Sequence, residues 1–427
     1  MPRKMKESGV EWLGQIPEGW DVLPLKGVCT CNDEVLPEDT PKNYRFDYVD
    51  IGAVKYGQGI VSKESLTFEE APSRARRKVF TGDVIVSTVR TYLKSVALIS
   101  AKEQSVVVST GFAVLRPSII NSQFLFYLAN SQYFSDMVES WSTGISYPSI
   151  NAEDLLRIKL PFPSLPEQQR IAAFLDERCA KIDGMISEAK TSIEDYRKWK
   201  QSLIENVTLK GVGSAPLAAV SSDWVEQVPA HWRFMQIRYL LELRDERNEK
   251  PLSEVNLISL YTDKGVVQHC DLEKTTGNKA ATADGYKLVY EDDIVVNIIL
   301  CWMGAIGRSA YAGVTSPAYD VYRAKRKGEV LPRYYHYLFR TTAFSGACYR
   351  RGRGIMMMRW RTYSDEFRSI KVPVPSYAEQ EQIANYLDEK CAAIDKLVGE
   401  KEALIADLEA YKKSLIFETV TGKREVA

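Results

Sequence analysis

The chain has 427 residues, which corresponds to about three folding units of ordinary size. Hydrophobic residues make up 45% and charged residues 26%, which excludes a disordered, collagen-like or small disulfide-stapled chain. Lys and Arg balance Asp and Glu at 56 each, which excludes a uniformly basic coat but not a local basic face. Seven Cys without CxxC pairs and three scattered His predict a cytoplasmic protein without a metal site. The most apolar stretch, residues 294–306, is too short to cross a bilayer, so no membrane partner is expected.

Two segments of the chain repeat one another. Residues 160–183 and 372–395 are identical at 14 of 24 aligned positions, whereas unrelated sequences would share about one or two. The same offset of 212 residues relates two pairs of tryptophans, Trp12 and Trp20 with Trp224 and Trp232. The chain is therefore predicted to contain two copies of one unit.

Each copy begins with a front part, residues 1–160 and 213–371, that is rich in β-branched and aromatic residues. This composition predicts mostly strands with some helix. The segment at 82–90 corresponds to the one at 292–297, and both are predicted as buried strands. The run at 124–134 corresponds to the one at 334–344, and both have helical spacing. The front parts diverge elsewhere, as expected of two modules that share a scaffold and differ in what they recognise.

Each copy ends in a predicted long helix, within residues 161–212 and 372–427. Pro166 can occupy the first turn of the first helix, and Ser164 with Glu167 has the spacing of a capping box. Apolar residues then recur at alternating steps of four and three, namely Leu175, Cys179, Ile182, Ile186, Ala189, Ile193 and Tyr196, and Leu387, Cys391, Ile394 and Val398. This heptad pattern predicts a coiled-coil seam in which the two Cys are small apolar fillers. Helices roughly 60 Å long need an equally long partner, so we expect them to pair rather than to be unrelated core helices.

Motifs of the common catalytic classes are absent from the sequence. It has no GxxxxGK[ST] phosphate loop, no complete dinucleotide-binding glycine turn and no nucleophile elbow. The Asn/Asp-Pro-Pro-Tyr/Phe tetrapeptide of amino-methyltransferases is absent too. The sequence therefore predicts a chain without catalytic residues, metal ligands or a cofactor of its own.

Clusters of cations with interleaved aromatic residues are the candidate binding features. In the first copy they are Arg74, Arg76, Arg77 and Lys78 before the strand at 82–90, and Arg90, Tyr92 and Lys94 after it. In the second copy they are Arg323 and Lys325, followed by Arg350, Arg351, Arg353, Arg359 and Arg361, with three Met and Trp360 interleaved. Arg-rich segments with glycine suit a phosphate backbone and guanine edges.

The polar counterpart of that segment in the first copy, Ser142 and Thr143, predicts that the two copies read different sequences. The alternative for each basic cluster is a solvated charged surface. The paired tryptophans at the two starts are predicted to pack inside their modules rather than to stack on bases.

The combination of these motifs resembles the specificity subunit of type I restriction–modification enzymes. The resemblance rests on the Glu-x-Leu-Gly-x-Ile-Pro-x-x-Trp pattern at 11–20 and on Pro-x-Pro-x-x-x-Glu-Gln-x-x-Ile at 161–171 and 373–383. Leu-Asp-Glu at 175 and 387 and the closing Glu418–Lys423 add to it. The first copy departs from the family pattern at 208–211, so the ends of the two long helices are expected to differ in detail. The second copy lacks the Glu18-Gly19 turn, so the starts of the two copies are expected to differ in detail too.

The family implies an α+β fold with two target recognition domains separated by two long helices that form an antiparallel coiled coil. Each domain is implied to read one half of a bipartite, asymmetric double-stranded DNA target. Two methyltransferase subunits and the restriction (translocase) subunits are the implied partners, which would carry S-adenosylmethionine, ATP and Mg. Two other function classes fit the sequence less well. A nuclease or methyltransferase in one chain would need an acidic metal cluster or a methyltransferase motif. A pure scaffold would leave the Arg-rich segments unexplained.

Overall fold

The computed structural model describes most of the chain, residues 3–103, 105–262, 264–269, 282–354 and 360–426. Its contacts divide the chain into a first unit, Met1–Lys190 with Glu402–Ala427, and a second unit, Thr191–Lys401. Each unit combines one front part with segments of both long helices. The boundaries predicted at 160, 212 and 371 follow the repeat period rather than these contact units, and they stay a prediction.

Two four-stranded sheets form the front part of the first unit. One is antiparallel, in the order Val96–Leu98, Val84–Ser87, Phe112–Pro117 and Cys29–Cys31. The other has the order Glu64–Thr67, Arg45–Val49, Val106–Ser109 and Ala75–Lys78, and its two central strands are parallel. Smaller pairs are Met5–Glu7 with Gln15–Pro17, Asp21–Pro24 with Lys159–Phe162, and Val54–Lys55 with Gly59–Ile60. The predicted strand at 82–90 is confirmed at Val84–Ser87, where every residue is buried.

The second unit repeats the antiparallel sheet, in the order Leu241–Arg244, Tyr319–Ala324, Ile294–Asn297 and Ile306–Arg308. Its smaller pairs are Leu217–Ala219 with Gln227–Pro229, Arg233–Gln236 with Lys371–Val374, Ile258–Tyr261 with Gly265–Gln268, and Lys287–Val289 with Gly313–Thr315. Ile294–Asn297 is fully buried, like Val84–Ser87 in the first unit. The shared sheet confirms the predicted common scaffold.

Nine α-helices lie within the described residues. They are α1 Ser122–Ala129, α2 Gln132–Trp141, α3 Ala152–Arg157, α4 Leu165–Lys210, α5 Ile237–Leu240, α6 Pro332–Phe339, α7 Thr342–Arg351, α8 Ser364–Ser369 and α9 Tyr377–Val420. The runs at 124–134 and 334–344, each predicted as helical, both contain a break. Ser131 and Thr341 cap a new helix there, because their hydroxyl oxygens accept hydrogen bonds from the backbone N–H groups of Phe134 and Phe344.

The two long helices, α4 and α9, contain 46 and 44 residues. The seam from Leu175 to Ile193 is buried in the first copy, and so are Leu387, Cys391 and Ile394 in the second. Within the first unit Lys412 of α9 pairs with Asp183 of α4 at 2.7 Å. Within the second unit Lys200 of α4 pairs with Asp395 of α9 at 2.6 Å. In each unit, therefore, a segment of one helix packs along the other.

Two tryptophans near the starts of the two copies, Trp20 and Trp232, show in which relative direction the paired helix segments run. In the first unit the Trp20 indole donates to Glu167, in the first turn of α4, and lies against Gly422, just beyond the end of α9. Since Lys412 meets Asp183, the two helix segments are antiparallel. The second unit repeats this arrangement with Trp232, which donates to Glu379 and lies against Gly211.

The capping box predicted for α4 is absent, because the Glu167 carboxylate binds Trp20 and Arg3 instead of Ser164. The second copy has the box, since the Ser376 backbone N–H donates to the Glu379 carboxylate at 3.0 Å and the Glu379 backbone N–H donates to the Ser376 hydroxyl at 3.3 Å. The predicted packing role holds for Trp20 and Trp232, which are 1% and 7% exposed. Trp12 is 47% exposed and departs from it.

None of the helices in the described part of the chain combines the length and the apolar character that a membrane crossing requires.

A buried histidine gives the second unit a specific acid sensitivity. Burial, with Arg340 and Arg308 nearby, lowers the pKa of His336 from 6.5 to about 3, and its Nδ1 accepts a hydrogen bond from the Arg308 backbone. Between these pH values the unfolded chain binds a proton that the folded chain does not, so stability falls as the pH falls below about 6.5. From pH 7 to pH 5 we expect this residue to cost about 2 kcal/mol.

The comparison is with His336→Phe, which installs the residue that the first copy has at the equivalent position, Phe126. Denaturant unfolding at the two pH values should show a smaller acid loss in the variant, whatever its baseline stability. Equal acid losses in both proteins would contradict the assignment.

Candidate nucleic-acid interface

In the first unit two loops are joined side by side, and we call residues 88–94 and 142–150 the first loop pair. The backbone N–H of Ile150 donates to Thr88 at 2.9 Å, and the hydroxyls of Thr91 and Ser142 lie 2.9 Å apart. A short antiparallel bridge between Thr143 and Ser149 closes the second loop into a hairpin. The first loop follows the buried strand Val84–Ser87, so a rigid sheet positions the pair.

Five of the sequence-predicted residues meet on the first loop pair: Arg90, Tyr92, Lys94, Ser142 and Thr143. Arg90 and Lys94 have positive φ values of 51° and 48°, uncommon for residues other than glycine. The Arg90 guanidinium lies over the Tyr147 ring at 5.4 Å and forms no ion pair with the described residues. Tyr92 is 54% exposed and Thr143 is exposed. The surface therefore offers a cation and aromatic faces.

The second unit has an equivalent arrangement, residues 298–304 with the described residues 352–354 and 360–362, which we call the second loop pair. The backbone N–H of Thr362 donates to Ile298 at 2.9 Å, which corresponds to the bond from Ile150 to Thr88. A bridge between Arg353 and Arg361 corresponds to the one between Thr143 and Ser149. The repeat thus places loops of different composition on the same scaffold.

The arginines predicted in the second copy have different surroundings. Arg351 lies in the last turn of α7 and donates to both oxygens of Asp223 at 3.0 Å, which lowers the pKa of that carboxyl. Arg350 contacts the same carboxylate at 3.4 Å, and Arg353 pairs with Glu366. Arg361 is exposed and has no ion pair with the described residues. Arg359 and the Met run at 356–358 lie outside the described residues.

The cluster from Arg74 to Lys78 lies on a different sheet from the strand that leads into the first loop pair, and most of its members have partners. Arg74 pairs with Asp50 at 2.9 Å, Lys78 with Glu34 at 3.0 Å, and Arg77 with Asn32. Burial lowers the pKa of Arg77, and Arg76 lies over the Phe68 ring. In the second copy Arg323 pairs with Glu242, whereas Lys325 is exposed. Ion pairing reduces the positive charge that Arg74, Lys78 and Arg323 present at the surface.

Several exposed apolar side chains on the loop pairs escaped the sequence analysis. Ile145 is fully exposed at the tip of its hairpin, and Tyr147 is 67% exposed. Met303 on the second loop pair is 51% exposed. An isolated apolar residue in a loop carries no sequence signal. Only the fold reveals that Ile145 and Tyr147 lie on the same loop pair as Arg90, and that Met303 lies on the same loop pair as Arg361. Among the described residues there is no group of three or more His, Cys, Asp or Glu that could hold a metal ion.

Comparison with known proteins places the chain in a family. The family described as the type I restriction modification DNA specificity domain matches twice, at residues 17–194 and 229–405. The EcoKI specificity subunit of Escherichia coli K12 is 22% identical over 438 residues, which cover 96% of this chain and 90% of that protein. The MjaVIII specificity subunit of Methanocaldococcus jannaschii is 28% identical over 213 residues, and this alignment spans about half of each chain, 47%.

A solved structure shares the fold. It comes from a study of complex assembly and conformational transition of the type I restriction–modification system, and it matches with a TM-score of 0.75 over 96% of this chain and 99% of that one, at 21% identity. The double family match covers most of the chain and coincides with its internal repeat. The chain therefore belongs to the DNA specificity subunits of type I restriction–modification systems, with two recognition domains in a mixed α+β fold.

Proposed function

We propose that each loop pair reads one half of a bipartite DNA target and that the chain directs methylation and restriction without catalysing either. The observation that carries this proposal is the equivalence of the two loop pairs. The same backbone bonds, Ile150 to Thr88 and Thr362 to Ile298, hold loops of different composition. Two similar readers with different side chains suit a target whose halves differ.

The chemistry of the loop pairs supports contact with DNA. Arg90 and Arg361 present guanidinium groups without carboxylate partners among the described residues, and such groups bind phosphates or the O6 and N7 of guanine. Tyr92 and Tyr147 add aromatic faces beside Arg90. The cations at 74–78, 323 and 350–353 have partners within the chain and take a secondary part in the proposed interface.

The proposed partners are two methyltransferase subunits and the restriction subunits, which would supply S-adenosylmethionine, ATP and Mg. Support comes from the matched structure, whose description concerns the assembly of a type I complex. The long helices set the half-site spacing in this proposal and offer the methyltransferase subunits a surface.

Methylome sequencing tests the proposal. Cells that express this chain with its methyltransferase subunits should methylate one bipartite sequence, and the purified chain alone should neither cut nor methylate DNA. Methylation or cleavage by the chain alone would favour the enzyme alternative.

Arg90→Ala is expected to weaken DNA binding through the first loop pair. If the guanidinium meets a guanine, the loss is about 1–3 kcal/mol and specificity relaxes at one position of one half-site. If it meets a phosphate, binding weakens for all sequences and the salt slope falls by about one. Arg361→Ala should act in the same way on the other half-site.

Fluorescence anisotropy of the complex with methyltransferase subunits, measured at several salt concentrations, separates these outcomes. Arg170→Ala is the matched control, since Arg170 is an exposed cation near the start of α4 and away from both loop pairs. Wild-type affinity and salt response in both loop variants would remove the loop pairs from the interface.

A further inference from the structure

The first unit contains a cavity of about 420 Å³ that the DNA-reading proposal does not use. It lies between the turn at residues 56–58, helix α1 and facing segments of α4 and α9, all within the first unit. Its volume is in the range of cavities that bind small ligands.

One wall of the cavity carries a buried hydrogen-bond acceptor without a donor. Asn130, at the end of α1, is 6% exposed, and its Nδ2 donates to the Phe126 carbonyl at 2.9 Å. Its Oδ1 is buried and has no hydrogen-bond partner among the described residues. A buried acceptor left unpaired costs about 1–3 kcal/mol, so the site gains from any ligand that donates to it.

One carboxylate of the lining, that of Asp176, has neutral partners. Asp176 accepts hydrogen bonds from two neutral donors, Tyr127 at 2.7 Å and Gln123 at 2.6 Å, and forms no ion pair with the described residues. Two lysines of the lining contact other side chains, and the third, Lys190, is exposed. Lys412 pairs with Asp183 at 2.7 Å, and Lys413 lies over the Tyr56 ring at 5.7 Å.

Lys190 and Glu409 complete the charged lining and are exposed. The other lining side chains include an amide oxygen without a partner, a carboxylate without a cation and aromatic rings. These groups suit a ligand that is positively charged, rich in N–H donors and flat.

The second unit has a different residue at the position that corresponds to Asn130. Arg340 is the counterpart of Asn130, and its guanidinium donates to the carbonyls of Ile306 and Thr262 at 3.2 and 3.1 Å. The neighbouring pair is retained, since the Tyr337 hydroxyl donates to Asp388 at 2.5 Å as Tyr127 does to Asp176. In the second copy, therefore, a guanidinium of the chain itself stands at the position where the first copy has a short amide beside the cavity.

We propose that the first-unit cavity binds a guanidinium group carried on a short aliphatic stem and supplied from outside the chain. In this proposal the Asn130 amide turns so that its Oδ1 accepts from a guanidinium N–H, the charge lies near Asp176, and the planar group stacks on the face of Tyr56 opposite Lys413. A guanidinium fits better than an ammonium because it is flat, stacks on aromatic rings and presents several donors in fixed directions. The group can come from a small molecule or from an arginine side chain of another protein.

Calorimetric titration of the full chain tests the site. The probes are methylguanidinium and the capped tripeptide Gly-Arg-Gly, and the parent protein should bind them with one site. Asn130→Arg, which installs the residue of the second copy, should weaken binding at least tenfold because its own guanidinium fills the cavity. Tighter binding of the tripeptide would point to an arginine of another protein, and tighter binding of methylguanidinium to a small molecule.

Asn206→Arg is the matched control, because it adds the same side chain at an exposed position of α4 outside the cavity and should bind the probes like the parent. Should Asn130→Arg fail to fold, Asn130→Leu removes the acceptor and should also weaken binding. A second measurement is independent of the first unit. Arg340→Asn should create an additional methylguanidinium site in the second unit, and the probe should raise its melting temperature.

Three results would overturn the proposal. One is equal probe binding by the parent and by a folded Asn130 variant. Another is equal binding of methylammonium and methylguanidinium, which would mean that the planar group is not recognised. The third is preferential binding of inorganic phosphate, which would mean that the lysines rather than the acceptors define the site. None of these results bears on DNA recognition by the loop pairs.

Discussion

Replacing residues 1–160 with the front part of a relative is expected to change one half of the methylated DNA sequence and to leave the other half unchanged. The first loop pair lies entirely in this segment, and its supporting sheet is formed by strands of the same segment. Each mismatched base pair costs about 1–3 kcal/mol, so a new half-site should reduce binding to the old target more than about a hundredfold. Methylome sequencing of cells that express the chimaera with the methyltransferase subunits gives the result directly.

The reciprocal chimaera, with residues 213–371 replaced, is the matched control and should change only the other half. A chimaera that alters both halves together would contradict the assignment of one half-site to each recognition domain.

A four-residue insertion after Ala189 is expected to change the preferred spacer between the half-sites or to abolish activity. The insertion lengthens α4 by about 6 Å, close to two base pairs of axial rise, and shifts the seam by about 40°. Coiled coils can accommodate a four-residue insertion, called a stutter, by local unwinding, so part of the protein should still fold. Ala189 lies on the buried seam, so residues beyond it must find new partners on α9.

The control is an insertion of the same four residues after Glu38, in an exposed loop away from the seam. It should leave the spacer and the activity unchanged. The spacer is read from the methylated sequences, and folding is checked by circular dichroism. An unchanged spacer with full activity in the Ala189 insertion would refute the role of the helices in spacing.

The regular parts of this fold could be predicted from the sequence because they rest on periodicity. The heptad seam is an example, since burial of Leu175, Cys179 and Ile182 follows from their spacing alone. The buried strand at Val84–Ser87 follows from its run of three β-branched residues, Val84, Ile85 and Val86. Side-chain choices at helix starts could not be predicted. Glu167 has the spacing of a capping box, but its carboxylate accepts a hydrogen bond from the indole of Trp20 instead.

The candidate site was predictable only in part, because sequence reports charge but not pairing. Arg74 and Lys78 look like DNA ligands in a sequence, yet each lies within 3.0 Å of a carboxylate that is distant along the chain. Arg90 looks no different in the sequence and lies over Tyr147 instead. The loop pairs join segments about fifty residues apart, and such contacts leave no periodic signal.

The close contact between Gly422 and Pro17 has a consequence for how the chain can be cut and rejoined. A Cβ at 422 would lie 2.5 Å from the proline ring, so the first and last segments of the polypeptide meet within the first unit. A short linker could therefore join the segment around Gly422 to the segment around Pro17, and a new chain start could open in the exposed stretch near Gly213. Such a circular permutant would keep the contacts of Trp20 and Trp232 while reversing the order in which the two recognition domains are synthesised.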